Sequence, residues 1–142
     1  MSDLATAIAI TGNAFKDVTD KAGAPYMLHC LHVMNSVDKN DYELMSIAVM
    51  HDLIEDTEYT VENLMEMGFS TRVVNALTSL THIRGEPYMD YITRVSENED
   101  AIQVKLADLR HNSDIHRMKG LREKDFVRLE KYHRAYAFLI SL

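Results

Sequence analysis

The sequence predicts an all-α protein that folds as one domain, and two observations carry this prediction. Apolar residues recur at helical spacing along nearly the whole chain, whereas strict alternation over several residues is hard to find. Apolar residues make up 46% of the 142 residues and charged residues 26%, as in an ordinary globular protein. A chain of this length can bury a hydrophobic core large enough to fold without disulfide bonds or a structural metal. We therefore expect one compact helical domain over residues 1–142.

The first two predicted helices are separated by a polar loop over residues 17–24. The first helix has its apolar side chains on one face: Leu4, Ala7, Ile8 and Phe15. Pro25 follows the loop and is favoured at the first position of a helix, where the missing N–H costs nothing. The apolar stripe of the second helix consists of Met27, Cys30, Leu31, Met34 and Val37. Both stripes predict helices that pack on a core through one face.

A third helix is expected to begin near Tyr42 and to continue into the region of Glu55. Between residues 44 and 50, Ser46 carries the one polar side chain. A helix that is apolar on nearly all sides is normally surrounded by other elements. We therefore expect this helix at the centre of the protein.

The second half of the chain predicts five more helices, some with clear end signals. Thr60 is expected to cap a short helix that Gly68 terminates, and Ser70 to cap a helix through Thr81. After a loop over residues 82–87, helices are expected over residues 88–97, 100–114 and from 122 to the end. The last helix is expected to pack on the core through Phe126, Leu129, Tyr132, Tyr136 and Ile140.

Charge and composition exclude several classes of protein. The chain has 22 acidic and 15 basic residues and a net charge of −7, which disfavours binding to nucleic acid. No apolar run approaches the roughly 20 residues of a bilayer span, and the N-terminus does not resemble a secretory signal. Cys30 is the single cysteine, which agrees with a reducing compartment. We expect a cytoplasmic protein that binds neither nucleic acid nor membrane; the sequence does not predict its oligomeric state.

Four polar residues interrupt the end of the predicted central helix: His51, Asp52, Glu55 and Asp56. On a helix, residues four apart lean toward the same sector, so these side chains are expected to lie close together. Three carboxylates beside a buried helix repel one another and lose solvation, unless a cation neutralises them. This pattern favours a divalent metal site.

Other helices have to complete such a site, because adjacent helical residues point about 100° apart. His29 lies off the apolar stripe of the second helix, and Asp108 interrupts an apolar stretch over residues 102–109. With His51 and Asp52, they provide two imidazoles and two carboxylates. This set leaves open positions on an octahedral ion such as Mn²⁺ or Fe²⁺, and Zn²⁺ or Ni²⁺ could also bind. A water molecule at an open position is a nucleophile near neutral pH.

Each of these residues also has an ordinary interpretation. A lone histidine on a helix is more often hydrogen-bonded in the core or on the surface, and His32 competes with His29 as a ligand. Asp108 could pair with Lys105, and Glu55-Asp56 could begin a solvated loop. The metal interpretation is favoured because these features occur together at the ends of the two most apolar helices.

Three segments, in order along the chain, resemble the HD-domain superfamily. They are residues 20–29 (DKAGAPYMLH), 51–57 (HDLIEDT) and 104–108 (VKLAD), followed by Asn112. Within the superfamily they are most similar to the hydrolase domains of RelA/SpoT-type proteins and to the small alarmone hydrolases. The resemblance extends from the first helix to about Arg117.

The resemblance implies an all-helical HD-domain fold with a metal site between its central helices. It implies a metal-dependent phosphohydrolase whose ligands, usually to Mn²⁺, are His29, His51, Asp52 and Asp108. Glu55 and Asp56 are implied to position or activate the attacking water. The family reaction removes pyrophosphate from the 3′ position of ppGpp or pppGpp and yields GDP or GTP. The chain is too short to include the synthetase domain of the long bifunctional relatives, so a hydrolase alone is expected.

Several polar residues are expected to contact a nucleotide substrate. Lys21, Arg84 and Lys105 are candidates for phosphate or base contacts, and Tyr88 and Asn112 for contacts to the sugar or base. A solvated or helix-facing position is the alternative for each of them. Lys105 is favoured because it precedes Asp108 by about one turn.

Two positions depart from the family pattern. The alarmone hydrolases commonly have a basic pair where this chain has Asp20-Lys21, and a histidine where it has Phe15. An aspartate cannot stack on guanine as an arginine can. Two further hypotheses therefore remain: a phosphohydrolase of the same type acting on another nucleotide, such as a deoxynucleoside monophosphate or NADPH, or a module that binds metal and nucleotide without catalysis.

Overall fold

The computed structural model describes residues 3–142, and within this range it contains α-helices, one 3-10 helix and no strand. The all-α prediction is confirmed. The helices are α1 (Leu4–Ala14), α2 (Met27–Asn35), α3 (Tyr42–Val49), α4 (Leu53–Asp56), α5 (Val61–Glu66), α6 (Thr71–Leu80), α7 (Tyr88–Val95), α8 (Glu99–Asn112), the 3-10 helix (Ile115–Arg117) and α9 (Glu123–Ile140). In the described part of the chain, no helix is long and apolar enough to cross a membrane.

The central position predicted for the third helix is confirmed. Residues 44–49 of α3 are all buried, and the helix packs against α1, α2, α6 and α8. At its start, the side chain of Asp41 accepts a hydrogen bond from the backbone N–H of Leu44. This cap satisfies one of the N–H groups that lack a partner inside the helix.

The third helix does not continue into the Glu55 region, so that part of the prediction is wrong. α3 ends at Val49, and a turn over residues 50–52 precedes α4. Within the turn, the backbone N–H of His51 donates to the carbonyl of Ala48, and that of Leu53 to the carbonyl of Met50. These bonds span three residues instead of four, which tightens the chain. The ring of His51 also contacts the Ala48 carbonyl, at 2.8 Å, and so helps to end the helix.

The end signals of the middle helices are confirmed. Thr60 caps α5 through Asn63, and the hydroxyl of Ser70 accepts a hydrogen bond from the N–H of Val73 at the start of α6. Gly68 follows α5 with a φ of 93°, a conformation that favours glycine. The boundary at Pro25 differs: α2 begins at Met27, because the chain at Pro25 forms an isolated bridge with Thr19 before it enters the helix.

The apolar face predicted for the last helix is partly wrong. Phe126 and Ile140 are each 57% exposed, whereas Ala135 and Leu139 are buried. α9 packs mainly on α7 and α8, so a narrow stripe of its surface is covered. Tyr132 and Tyr136, which were predicted on that face, are partly buried and pack against the core, while Leu129 is half-buried.

Candidate active site

Three elements bring two imidazoles and one carboxylate together in the core. α2 carries His29, the turn between α3 and α4 carries His51, and α8 carries Asp108. Oδ1 of Asp108 lies 2.9 Å from Nε2 of His29 and 3.3 Å from Nε2 of His51. All three residues are buried, and one ligand atom of each lies within 4.8 Å of the other two. This group could hold a metal ion.

The ring of His51 fits the demands of a metal ligand. Its Nδ1 lies 2.8 Å from the carbonyl of Ala48, which places the ring proton on Nδ1 when the ring is neutral. Its Nε2 is buried and lies 2.9 Å from Oδ2 of Asp52 and 3.3 Å from Oδ1 of Asp108, but within residues 3–142 it has no partner that meets hydrogen-bond geometry. Burial opposes a charge on His51, but these two carboxylates outweigh it and raise the pKa of the ring. The pocket therefore favours a positive charge where Nε2 meets the carboxylates.

Asp52 lies at the rim of this group. Its Oδ2 is 2.9 Å from Nε2 of His51 and accepts a hydrogen bond from the hydroxyl of Tyr26. Burial opposes ionisation of Asp52, yet His51 outweighs this effect and lowers the pKa of the carboxyl. The side chain of Asp52 is 19% exposed, against 6% for Asp108. Asp52 therefore lies next to His51, on the side of the site that is nearer to solvent. Its role as a fourth metal ligand stays a prediction.

Asp108 has further partners on its own helix. Nζ of Lys105 lies 3.0 Å from Oδ2 of Asp108, and the amide of Asn112 donates to Oδ1 at 2.9 Å. The pairing with Lys105 and the contact with the two imidazoles thus occur together. Lys105 also lies over the ring of Tyr91, at 5.1 Å from its centroid. These contacts fix the carboxylate that faces both histidines.

His29 and His32 lie about one turn apart on α2 and differ in burial. His29 is 2% exposed and faces Asp108, whereas His32 is exposed. The ring of His32 stacks on that of His111 at 3.8 Å between centroids. His111 in turn places its Nδ1 2.7 Å from Nδ1 of His29. The geometry therefore favours His29 over His32 as a metal ligand. It also shows a contact between His29 and His111, a residue that the sequence did not indicate.

The acidic pair follows on α4. The backbone N–H of His82 donates to Oε1 of Glu55 at 2.7 Å, which connects α4 to the loop after α6. Partial burial and the carboxylates of Asp52 and Glu55 raise the pKa of Asp56 to about 6. Both side chains line a cavity of about 440 Å³ that also reaches Asp52 and Asp108. A carboxylate with such a pKa is suited to accept a proton near neutral pH.

A second, larger cavity adjoins the first. Its volume is about 1050 Å³, and it shares Tyr26, Asp56, Asn112 and Tyr132 with the smaller one. Six basic side chains line it: Lys21, Arg117, Lys119, Arg122, Lys124 and Arg128. Five of them come from a short stretch of an otherwise acidic chain, and this clustering was a signal that the sequence interpretation overlooked. The two cavities together place a basic region beside an acidic one.

The structure brings most of the predicted substrate residues to these cavities, but not all. Lys105 and Tyr88 line the smaller cavity, Lys21 the larger one, and Asn112 both. The hydroxyl of Tyr88 is buried and has no hydrogen-bond partner among the described residues. Arg84 is exposed and lines neither cavity, because it lies at the tip of the loop next to Gly85. Its predicted substrate contact has no support in the geometry.

Comparison with known proteins relates this chain to one group. No family model matches it. It is 32% identical over 98 residues to a guanosine-3′,5′-bis(diphosphate) 3′-pyrophosphohydrolase of Aquifex aeolicus, an alignment that covers 62% of this chain and 14% of that protein. It is 28% identical over 122 residues to the bifunctional (p)ppGpp synthase/hydrolase SpoT of Escherichia coli, covering 77% of this chain and 17% of that protein. This chain is similar in sequence to SpoT-type proteins. It matches 14% and 17% of the length of these two curated relatives.

The fold of this chain is also found in a solved structure. A metazoan SpoT ortholog, described as hydrolysing ppGpp, superposes with a TM-score of 0.78 and 16% identity. The match covers 96% of this chain and 84% of the ortholog. At this identity the likeness shows the fold, and the predicted resemblance to RelA/SpoT-type hydrolase domains is confirmed.

The structure assigns local roles to Asp20 and Phe15, the two positions that depart from the alarmone hydrolase pattern. Oδ1 of Asp20 accepts hydrogen bonds from the N–H groups of Ala22 and Ala24, and Oδ2 lies 3.4 Å from a guanidinium nitrogen of Arg117. Asp20 therefore shapes its own loop and ties it to the opposite wall of the larger cavity. Phe15 is 3% exposed and packs against the ring of Tyr26. Both residues have structural roles beside the site.

A network centred on Arg94 of α7 holds the loop that contacts Glu55. The guanidinium of Arg94 donates to the carboxylate of Glu86 and to the carbonyls of Thr78, Ser79 and Thr81 at the end of α6. Glu86 also accepts from the N–H of Ile83, and its carbonyl contacts the ring of His82. Arg94 thus ties the end of α6 to the loop whose His82 amide holds Glu55.

Replacing Arg94 by alanine is expected to destabilise the protein by about 1–3 kcal/mol, because partly buried carbonyls and the Glu86 carboxylate lose their donor. Urea unfolding measures this change. Arg134→Ala is the matched control, since Arg134 forms an exposed pair with Glu130, and such pairs contribute at most about 1 kcal/mol. Equal stability of the two variants would contradict the structural role of Arg94.

Proposed function

We propose that this chain is a metal-dependent hydrolase that removes the 3′-pyrophosphate of (p)ppGpp and yields GDP or GTP. The observation that carries the proposal is the buried group of His29, His51 and Asp108, which opens on a cavity whose wall carries Glu55 and Asp56. The names of the curated relatives give the same reaction. All these residues lie in one helical unit, and we place residues 1–142 in a single hydrolase domain.

The proposed ligands are His29, His51, Asp52 and Asp108, and the proposed ion is Mn²⁺, with Fe²⁺, Zn²⁺ or Ni²⁺ as alternatives. Mixed imidazole and carboxylate donors suit these ions. A divalent ion supplies Lewis acidity and a nucleophilic water at neutral pH. The protein fixes the donors: Asp108 is held by Lys105 and Asn112, and Asp52 by the hydroxyl of Tyr26.

Glu55 and Asp56 are proposed to orient the attacking water and to take its proton. Asp56 suits the role of base, because its raised pKa of about 6 leaves it ionised at neutral pH yet basic. Water attacks the phosphorus atom next to the ribose, and the bond between that phosphorus and the 3′ oxygen breaks. The released pyrophosphate keeps the oxygen of the water, and the 3′ oxygen gains a proton.

We propose that different parts of the substrate bind in the two cavities. The smaller cavity takes the pyrophosphate, with Lys105 and the unpaired hydroxyl of Tyr88 on its wall. The larger cavity takes the nucleoside and its 5′-phosphates, whose negative charge suits basic side chains such as Lys21. Asn112 borders both cavities and is placed to contact the ribose.

Release of pyrophosphate from ppGpp by the purified protein, with and without Mn²⁺, tests this function. We expect turnover that requires the ion and is lost in Asp52→Ala. A panel containing deoxynucleoside monophosphates and NADPH is measured in parallel, because Asp20 and Phe15 depart from the family pattern near the larger cavity. If the protein turns over another nucleotide but not ppGpp, the proposed substrate is wrong. Binding of ion and nucleotide without any turnover would favour a non-catalytic module.

A further inference from the structure

We propose that His111 is a positioning residue for His29. Its imidazole accepts the Nδ1–H of His29 and thereby directs the lone pair of His29 Nε2 toward the metal. The inference rests on the proposed metal site. It adds a residue outside the proposed ligand set and outside the substrate contacts.

The contact between the two rings constrains where the protons lie. The Nδ1 atoms of His29 and His111 are 2.7 Å apart, and Nε2 of His29 points at Asp108. A hydrogen bond between two ring nitrogens holds one proton. When Nε2 of a neutral His29 binds a cation, its remaining proton has to lie on Nδ1. His111 must then accept through its own Nδ1 and carry its proton on Nε2.

The surroundings hold the His111 ring in place for this contact. Its ring lies parallel to those of His32 and His29, with centroid distances of 3.8 and 5.0 Å. Its backbone carbonyl, near the end of α8, accepts a hydrogen bond from Arg117 at 2.9 Å. The ring is therefore stacked on His32, and its backbone is held by Arg117.

Each buried imidazole of the site has one partner at Nδ1, but the two partners differ. His51 uses the backbone carbonyl of Ala48, which no substitution removes. Among the described residues, His29 has one hydrogen-bond partner at Nδ1, the side chain of His111. Partners at the second ring nitrogen of a ligating histidine typically change metal affinity by about 10–100-fold when removed. The His111 side chain therefore offers a direct test.

Binding of Mn²⁺, followed by the electron paramagnetic resonance signal of the free ion, is measured for three variants beside the wild type. His111→Phe keeps an aromatic ring but removes the acceptor, and we expect Mn²⁺ affinity to fall by about 10–100-fold. His111→Asn places an amide oxygen near the position of Nδ1, and we expect it to restore most of the affinity. His32→Phe keeps the ring stack and is expected to bind Mn²⁺ as the wild type does.

Stacking alone predicts a different pattern, with His111→Phe like wild type and His111→Asn impaired; that pattern would overturn the proposal. A second measurement does not depend on any variant being folded. In the Zn²⁺-loaded wild type, nitrogen-15 NMR should find the proton of His29 on Nδ1, and a proton on Nε2 would overturn the proposal. A wild type that binds no divalent ion would refute the metal site and this inference together. Metal binding without ppGpp turnover would refute the proposed function and leave the positioning role of His111 standing.

Discussion

Asp108→Ala is expected to lose metal-dependent turnover and also to unfold at a lower urea concentration. Asp108 contacts both imidazoles, and it is the buried partner of Lys105. Removing one member of a buried ion pair typically costs about 3–5 kcal/mol, because the other charge stays buried without a partner. The stability loss is measured by urea unfolding of the metal-free protein, and the loss of the site by Mn²⁺ titration.

A double variant separates these two effects. Lys105→Met combined with Asp108→Ala removes both charges, and it is expected to recover most of the lost stability, because apolar replacement of a buried pair is often close to neutral. Mn²⁺ binding should stay lost in the double variant. Recovery of binding together with stability would show that Asp108 acts through folding alone and would contradict its role as a ligand.

Asp56→Asn is expected to lower kcat by about 10²–10⁴-fold, the usual contribution of a general base. Mn²⁺ affinity should change little, since Asp56 lies outside the buried group of possible ligands. Pyrophosphate release and Mn²⁺ titration measure the two quantities. Asp90→Asn, an exposed position on α7 away from both cavities, is the control and should leave kcat unchanged.

The same variant is expected to stabilise the metal-free protein above pH 6. The pKa of Asp56 is raised from 3.8 to about 6, mainly by partial burial and by the nearby carboxylates of Asp52 and Glu55. A raised carboxyl pKa means that ionisation disfavours the folded state: the effect is absent below pH 3.8 and complete above pH 6. The Tm of Asp56→Asn should therefore exceed that of wild type at pH 8 and equal it near pH 3.5. A lower Tm at pH 8 would contradict the crowding of these carboxylates.

Much of the fold could be predicted from local sequence signals. Helical apolar spacing predicted the helices, and the caps at Thr60 and Ser70, with Gly68 between them, set boundaries that the structure confirms. Such signals are local, because a cap satisfies backbone groups within its own turn. The covered face of α9 was harder to predict, since its apolar residues surround much of the helix and the neighbouring α7 and α8 decide which are buried.

The sequence by itself determined the helical class and the residue types of the site: histidines and carboxylates at the ends of apolar helices. Tertiary structure decided which of them meet. His29 and not His32 contacts Asp108, because His32 lies about one turn further along α2, where its exposed ring stacks on His111 of α8 instead. The break after α3 turns His51 toward both carboxylates, and it depends on a ring-to-carbonyl contact that spacing does not encode.

The contacts of His111 and of the basic wall of the larger cavity were also decided by the tertiary structure. His111 belongs to no motif that spacing reveals, since it contacts a histidine 82 positions away along the chain. The basic cluster over residues 117–128 is visible in the sequence, but the sequence does not show which segments it faces. Arg117 meets Asp20 across 97 positions. Contacts of this kind arise when packed helices bring distant segments together, and burial then makes their hydrogen bonds obligatory. The chemical groups could therefore be predicted from the sequence, whereas their partners were decided by the packing of α2 against α8.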